Sequence, residues 1–164
     1  MKALAPRHFS LTAFGLAQVV TDVEPLVRIL RGDAVLHGFT HTYLGATLIA
    51  AACAVAGKPL CQALLNLWKP DPKAPFLTWL RGEPVLSWPA MLLGSFVGTW
   101  SHVALDSVMH ADMHPFRPWS ETNCLLGAVS LGMLHVGCVL AGAAGALVLL
   151  LRRRVPVGSA RPAG

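Results

Sequence analysis

The sequence predicts an all-α protein, an integral membrane helical bundle of three to four spans with an interfacial connector. Three observations carry that expectation. Only 13% of the 164 residues are charged and 54% are hydrophobic, a balance far from that of an ordinary soluble domain. Three stretches hold no Asp, Glu, Lys or Arg: Ala34 to Gly57, Val85 to Leu105 and Thr122 to Leu151, of 24, 21 and 30 residues. Each suffices for a helix across a hydrocarbon core of roughly 30 Å. Finally, the basic residues sort by side. With "RRRVPVGSAR" in the cytoplasm and four crossings, ten of the 13 Lys and Arg fall on that face, leaving Arg28, Arg31 and Arg117 opposite. That bias follows the positive-inside rule for short loops.

Taken in order, His8 to Thr21 is uncharged for 14 residues, which suits a marginal span or a re-entrant or interfacial helix. Asp22 and Glu24 stand where a signal-peptide cleavage site would need small residues. Ala34 to Gly57 and Val85 to Leu105 are read as spans. Between them, the connector 58–84 carries Pro59, Pro70, Pro72, Pro75 and Pro84, so no continuous helix is expected after "CQALLNLW". Leu60, Leu64, Leu65 and Trp68 share a helical face there, and Trp68, Trp79 and Trp88 suit the headgroup zone. The last span places Gly137, Ala141 and Gly145 at four-residue spacing, a face for close helix contact within the bundle or in a homo-oligomer. Residues 1–154 are expected to form one membrane-embedded domain and residues 155–164 a disordered tail. The setting implied is a bacterial-type inner membrane, multi-pass, with the C-terminus cytoplasmic and lipids as neighbours.

Several chemistries find no support. The net charge of +5 is explained by sidedness, so no nucleic-acid contact is expected. Cys53, Cys61, Cys124 and Cys138 show no CxxC spacing, and in apolar surroundings cysteine packs as a small hydrophobe. Ser101 lies in no GxSxG elbow, and no phosphate-binding glycine loop is present.

What remains is a gathering of ionisable residues at the ends of the apolar runs. His102 and Asp106 are four apart and share a helical face, which His110 would continue if the helix persists. His37 and His41 repeat the spacing at the start of the second span. Asp22 and Glu24 close the first segment in "TDVEP", expected as an extended or turn stretch before Pro25. The assumed topology brings all three pairs to one outer face. Ionisable groups at membrane depth are costly unless paired, hydrated or metal-bound. Imidazoles with carboxylates are the ligand set of catalytic zinc, and also of manganese or iron. Such an ion lowers the pKa of bound water toward about 7, which makes hydrolysis the simplest chemistry. His110, Asp112 and His114 in "MHADMHPF" offer a second metal site, substrate contacts, or no more than a solvated loop.

These motifs resemble those of the LexA-binding, inner membrane-associated hydrolases, also called membrane-bound metal-dependent hydrolases, over about residues 20 to 120. The acidic D-x-D-H step of that family is similar to "DVEP", with Asp22 and Glu24 on its two acids. Its H-R-G-x-T-H motif is similar to "LHGFTH", with Gly38, Thr40 and His41 matching, and its S-H-x-x-x-D motif is met by Ser101, His102 and Asp106. Pro25 and Leu36 stand where the family has His, and His37 stands at its Arg. Members open with a short His-containing segment, whereas Met1 here leads almost directly into the first helix, so a late or truncated start is expected.

The combined expectation is a metal-dependent hydrolase acting on a lipid or amphiphilic ester or phosphoester. A divalent metal, zinc first, with manganese or iron as alternatives, is expected on Asp22, His41, His102 and Asp106, with His37 as a further candidate. Glu24 is expected as ligand or general base, and Thr40 and Ser101 are expected to hold ligand side chains in place. The rival expectation is a non-enzymatic membrane module with a structural or sensory metal site.

Overall fold

The computed structural model describes residues 8–71, 73, 77, 78, 81 and 85–152. Among them all regular structure is helical, as the composition led one to expect. The elements are α1 (Leu11–Thr21), α2 (Val23–Arg31), a 3-10 turn (Phe39–His41), α3 (Tyr43–Val55), α4 (Lys58–Leu67), α5 (Trp88–Met109) and α6 (Leu131–Arg152). The tail 155–164, the basic residues Lys2, Arg7, Arg153, Arg154 and Arg161, and Trp79 lie outside the described residues.

Side-chain caps fix where several helices begin. The hydroxyls of Ser10, Thr42 and Ser87 accept from the amides of Ala13, Gly45 and Ala90, which satisfies donors that a helix start leaves unpaired. Asp22 is both the C-cap of α1 and the N-cap of α2, yet its carboxylate makes no capping bond. Glu24 and Pro25 lie inside the first turn of α2, so the turn expected across "DVEP" shrinks to Asp22. A helix start tolerates Pro because that amide has no intrahelical partner. α2 ends at Gly32, whose φ of 75° is the left-handed conformation glycine adopts freely.

The core forms where α5 lies along α1 and α3. On α5, Gly94, Gly98, His102 and Asp106 recur every four residues and so share one stripe. At its glycine end the stripe meets α1. A Cβ built on Gly94 would stand 2.5 Å from the Ser10 carbonyl oxygen, and one on Gly98 would stand 2.9 Å from that of Phe14. Both would also lie 3.2 Å from the Cβ of Ala13 or Ala17. Only small residues on both helices permit this approach. Two apolar clusters flank it: Ala13, Ala54, Cys61, Leu65, Leu86 and Met91 at one end, and Ala46, Val103 and Met113 at the other.

Helix lengths revise the span reading. The uncharged run 34–57 contains a loop, the 3-10 turn and α3 of 13 residues, about 20 Å long. α1, at 11 residues, is shorter still. α3 and α4 pass as apolar enough together, with a 57° bend between them. α5 has 22 residues, but the hydroxyls, His102 and Asp106 along it dilute its hydropathy. Among the described residues α6 alone is long and apolar enough to cross a membrane, and the bent pair raises the number to two at most. In the connector, α4 buries Cys61 and Leu65 while Leu60 and Leu64 remain exposed.

The close contact predicts a contrast between two glycines. Gly98→Ala must push α1 away or strain α5, and overpacking of this kind costs about 1–3 kcal/mol. Gly137→Ala on α6 meets nothing within 4 Å and is expected to be neutral or slightly stabilising. Thermal unfolding of both variants in detergent checks this, and equal midpoints would contradict the packing described.

Candidate metal centre

Four side chains from separate parts of the chain converge at the far end of the α5 stripe. Asp22 comes from the α1–α2 junction, His41 from the 3-10 turn, and His102 and Asp106 from successive turns of α5. Each offers one ligand atom, and the four atoms lie within 4.8 Å of one another. His102 Nε2 is 3.1 Å from both Asp22 Oδ1 and Asp106 Oδ2. His41 Nε2 lies 3.4 Å from Asp106 Oδ2, 3.9 Å from Asp22 Oδ1 and 3.3 Å from His102 Nε2. Two ligands about 2.0–2.1 Å from one ion at the tetrahedral angle stand about 3.3–3.4 Å apart. The measured separations scatter around that edge length.

The protons on the far side of each ring explain why the nitrogens face one another. Thr40 Oγ1 lies 2.7 Å from Glu24 Oε2 and 3.0 Å from His41 Nδ1. The carboxylate can only accept, so the hydroxyl donates to Glu24 and accepts from His41 Nδ1–H. His102 Nδ1 donates to Gln18 Oε1. Both imidazoles therefore direct an Nε2 lone pair inward, beside two carboxylates. Four electron-rich atoms facing one another call for a cation, and a second ring nitrogen bonded to an acceptor is the usual support of a metal-bound histidine.

Access is one-sided. His41 is 1% exposed and Asp106 16%, whereas Asp22 is 58% exposed. Solvent reaches the cluster past the Asp22 carboxylate; four protein ligands fill a tetrahedron, so water or substrate would enter on this side as a fifth ligand or in place of Asp22.

Glu24 stands behind the cluster. Its Oε1 accepts from Arg28 at 2.7 and 3.1 Å, and its Oε2 accepts from the Thr40 amide and hydroxyl. Burial raises its carboxyl pKa, but the Thr40 and Arg28 contacts outweigh this and hold it below its ordinary value. With both oxygens engaged, Glu24 orients Thr40 and His41, and the expected base or ligand role does not fit this placement. Ser101 is also placed differently from expectation. Its hydroxyl donates to the Val97 and Gly98 carbonyls of its own helix, a habit of helical Ser that removes it from His102. The group that does hold His102 is Gln18, which the sequence reading passed over. Its signal was a lone amide side chain within the apolar run "LTAFGLAQVV".

His37 and His41 do not share an α-helix. His37 lies in the loop before the 3-10 turn, and its ring is 4.8 Å from that of His41 between centroids. α5 stops at Met109, so His110 caps the helix with extended backbone and meets His37, ring centroids 4.4 Å apart. Asp112 Oδ1 lies 2.8 Å from His37 Nδ1, and its Oδ2 accepts from the Leu36 and His37 amides at 2.8 and 3.1 Å. Burial raises the Asp112 carboxyl, but these bonds prevail and hold it well below the usual carboxylate range. His37, His110 and Asp112 form a second group with ligand atoms within 4.8 Å. His114 belongs to neither group and bonds the Glu121 carbonyl.

These placements predict a ranking for metal affinity, read by competition with a chromophoric chelator. Gln18→Leu frees the His102 ring and should weaken binding 10- to 100-fold, the usual cost of losing such support. Ser101→Ala should leave it unchanged. The opposite order would contradict the assigned roles.

No family model, curated protein or solved structure matches this chain.

Proposed function

We propose that this protein is a membrane-embedded metal-dependent hydrolase of the LexA-binding, inner membrane-associated group, acting on an amphiphilic ester or phosphoester. One observation carries the proposal: Asp22, His41, His102 and Asp106 converge with inward lone pairs and a solvent-facing side. A divalent ion held there, zinc first, with manganese or iron fitting the same donors, supplies Lewis acidity and activation of water. The chain's own residues do the rest. Gln18 and Thr40 fix the two rings, Glu24 and Arg28 fix Thr40, and Asp22 forms the exposed rim where substrate enters.

Two features favour an amphiphilic substrate. α2 exposes Leu26, Ile29 and Leu30 beside Arg28 and Arg31, a combination suited to the headgroup boundary. A cleft of about 570 Å³ is lined by Val20, Val23, Val27 and Ile49 together with Glu24, Arg28, Arg31, Asp33 and Thr40. Its walls combine apolar side chains with charged groups of both signs, a surface that suits an amphiphile. α6 with its exposed Val136, Val139 and Leu140 is one membrane span in this proposal and the bent α3–α4 pair a second, while α5, too polar to cross alone, crosses only as packed against α1 and α3. The outer face then carries the metal residues and the cytoplasmic face the C-terminus.

Detergent-purified protein loaded with zinc or manganese is expected to cleave a chromogenic ester or phosphoester. His102→Ala should lose both bound metal and turnover. Glu24→Gln should keep the metal and slow turnover by no more than about tenfold, because a general base would account for about 10²- to 10⁴-fold. Bound metal with no turnover on any such substrate would favour the structural or sensory module.

A further inference from the structure

We propose that His37, His110 and Asp112 bind a second divalent cation beside the first. The three meet through backbone anchoring, because the Asp112 Oδ2 bonds to the Leu36 and His37 amides tie the loop to the end of α5. The 2.8 Å between Asp112 Oδ1 and His37 Nδ1 is a hydrogen-bond length. It is also the separation, about 2.8–3.0 Å, of two ligands set at a right angle and 2.0–2.1 Å from one octahedral ion. His110 is exposed, so an ion can enter from solvent.

Charge argues for a second ion as well. Asp22, Asp106 and Asp112 bring three negative charges, and among the described residues their ion-pair partners are histidines alone. The nearby guanidinium of Arg28 is bonded to Glu24, and that of Arg117 to Glu121. One divalent ion leaves the cluster at about −1 and two bring it to about +1. Asp106 at 16% and Asp112 at 28% exposure are withdrawn from water far enough that missing compensation is costly.

The two groups are contiguous. Ring centroids step from His110 to His37, His41 and His102 at 4.4, 4.8 and 5.2 Å. Asp106 lies between the groups, its Oδ2 3.1 Å from His102 Nε2 and 4.0 Å from His37 Nε2. Were both groups filled, the two ions would supply the paired Lewis acidity that stabilises the attacking and leaving oxygens of a displacement. A net positive charge at the paired site would favour the more highly charged phosphate ester over a neutral carboxylic ester. That substrate class rests on the hydrolase proposal, whereas the ion count does not.

The test is ion stoichiometry in the full chain reconstituted with Mn²⁺, with electron paramagnetic resonance on the same samples. Wild type is expected to hold about two ions per chain and to give a spin-coupled signal. His110→Ala is expected to hold about one, with the six-line spectrum of an isolated ion. The α5 cap survives that substitution because it uses the His110 backbone amide. One ion or none in wild type, or an unchanged count in His110→Ala, would overturn the second site. Two coupled ions without any ester or phosphoester turnover would uphold this site and remove the hydrolase proposal, while one ion with turnover would do the reverse.

Discussion

The contact between α1 and α5 is the constraint on which the rest of the structure depends. Gly94 and Gly98 let the α5 backbone reach the Ser10 and Phe14 carbonyls, and one turn further along the same stripe come His102 and then Asp106. On the α1 side Ala13 and Ala17 are followed by Gln18, Thr21 and Asp22. Close packing at one end therefore sets the distances at the other. An added methyl group near Phe14 would be felt at His102 because a packed interior transmits strain. This geometry costs α5 apolar surface, and the small residues and hydroxyls that allow the approach also keep it below the hydropathy of α6.

A second layer of bonds converts proximity into chemistry. Arg28 holds Glu24, Glu24 holds Thr40, Thr40 holds His41, and Gln18 holds His102. Each link uses a donor against an acceptor, so the tautomer of each ring follows from the chain. The Thr40 hydroxyl also lies 3.1 Å from the Thr21 carbonyl, which joins the 3-10 turn to the end of α1. Asp22 gains its freedom from the same local economy. Because Asp22 caps two helices through its backbone position alone, its carboxylate is left for the cluster.

The legibility of the site in the sequence followed the range of the interactions. His102 and Asp106 were readable because four-residue spacing on a helix is a local rule, and the all-helical class followed from composition. Thr40 was singled out by its motif. Gln18 was not: its partner is 84 residues away, and its one local mark, a lone amide in an apolar run, names no partner. The small-residue signal was read on α6, where Gly137 meets nothing within 4 Å, and overlooked in "GSFVG", where it shapes the core. Spacing also misled: His37 and His41 look like a helical pair but meet through a loop and a 3-10 turn. Helix length and apolarity support one span, or two with the bent pair, among the described residues, fewer than the uncharged runs suggested, because such a run need not be one helix, as the 3-10 turn and Thr42 cap inside 34–57 show.

The most direct measurement is X-ray absorption at the metal edge of the purified protein. A shell of nitrogen and oxygen ligands at about 2.0–2.2 Å, with outer scattering from at least two imidazoles, is the predicted result. A sample without bound metal, or a shell of sulfur at about 2.3 Å from the free cysteines, would contradict the centre built by Asp22, His41, His102 and Asp106.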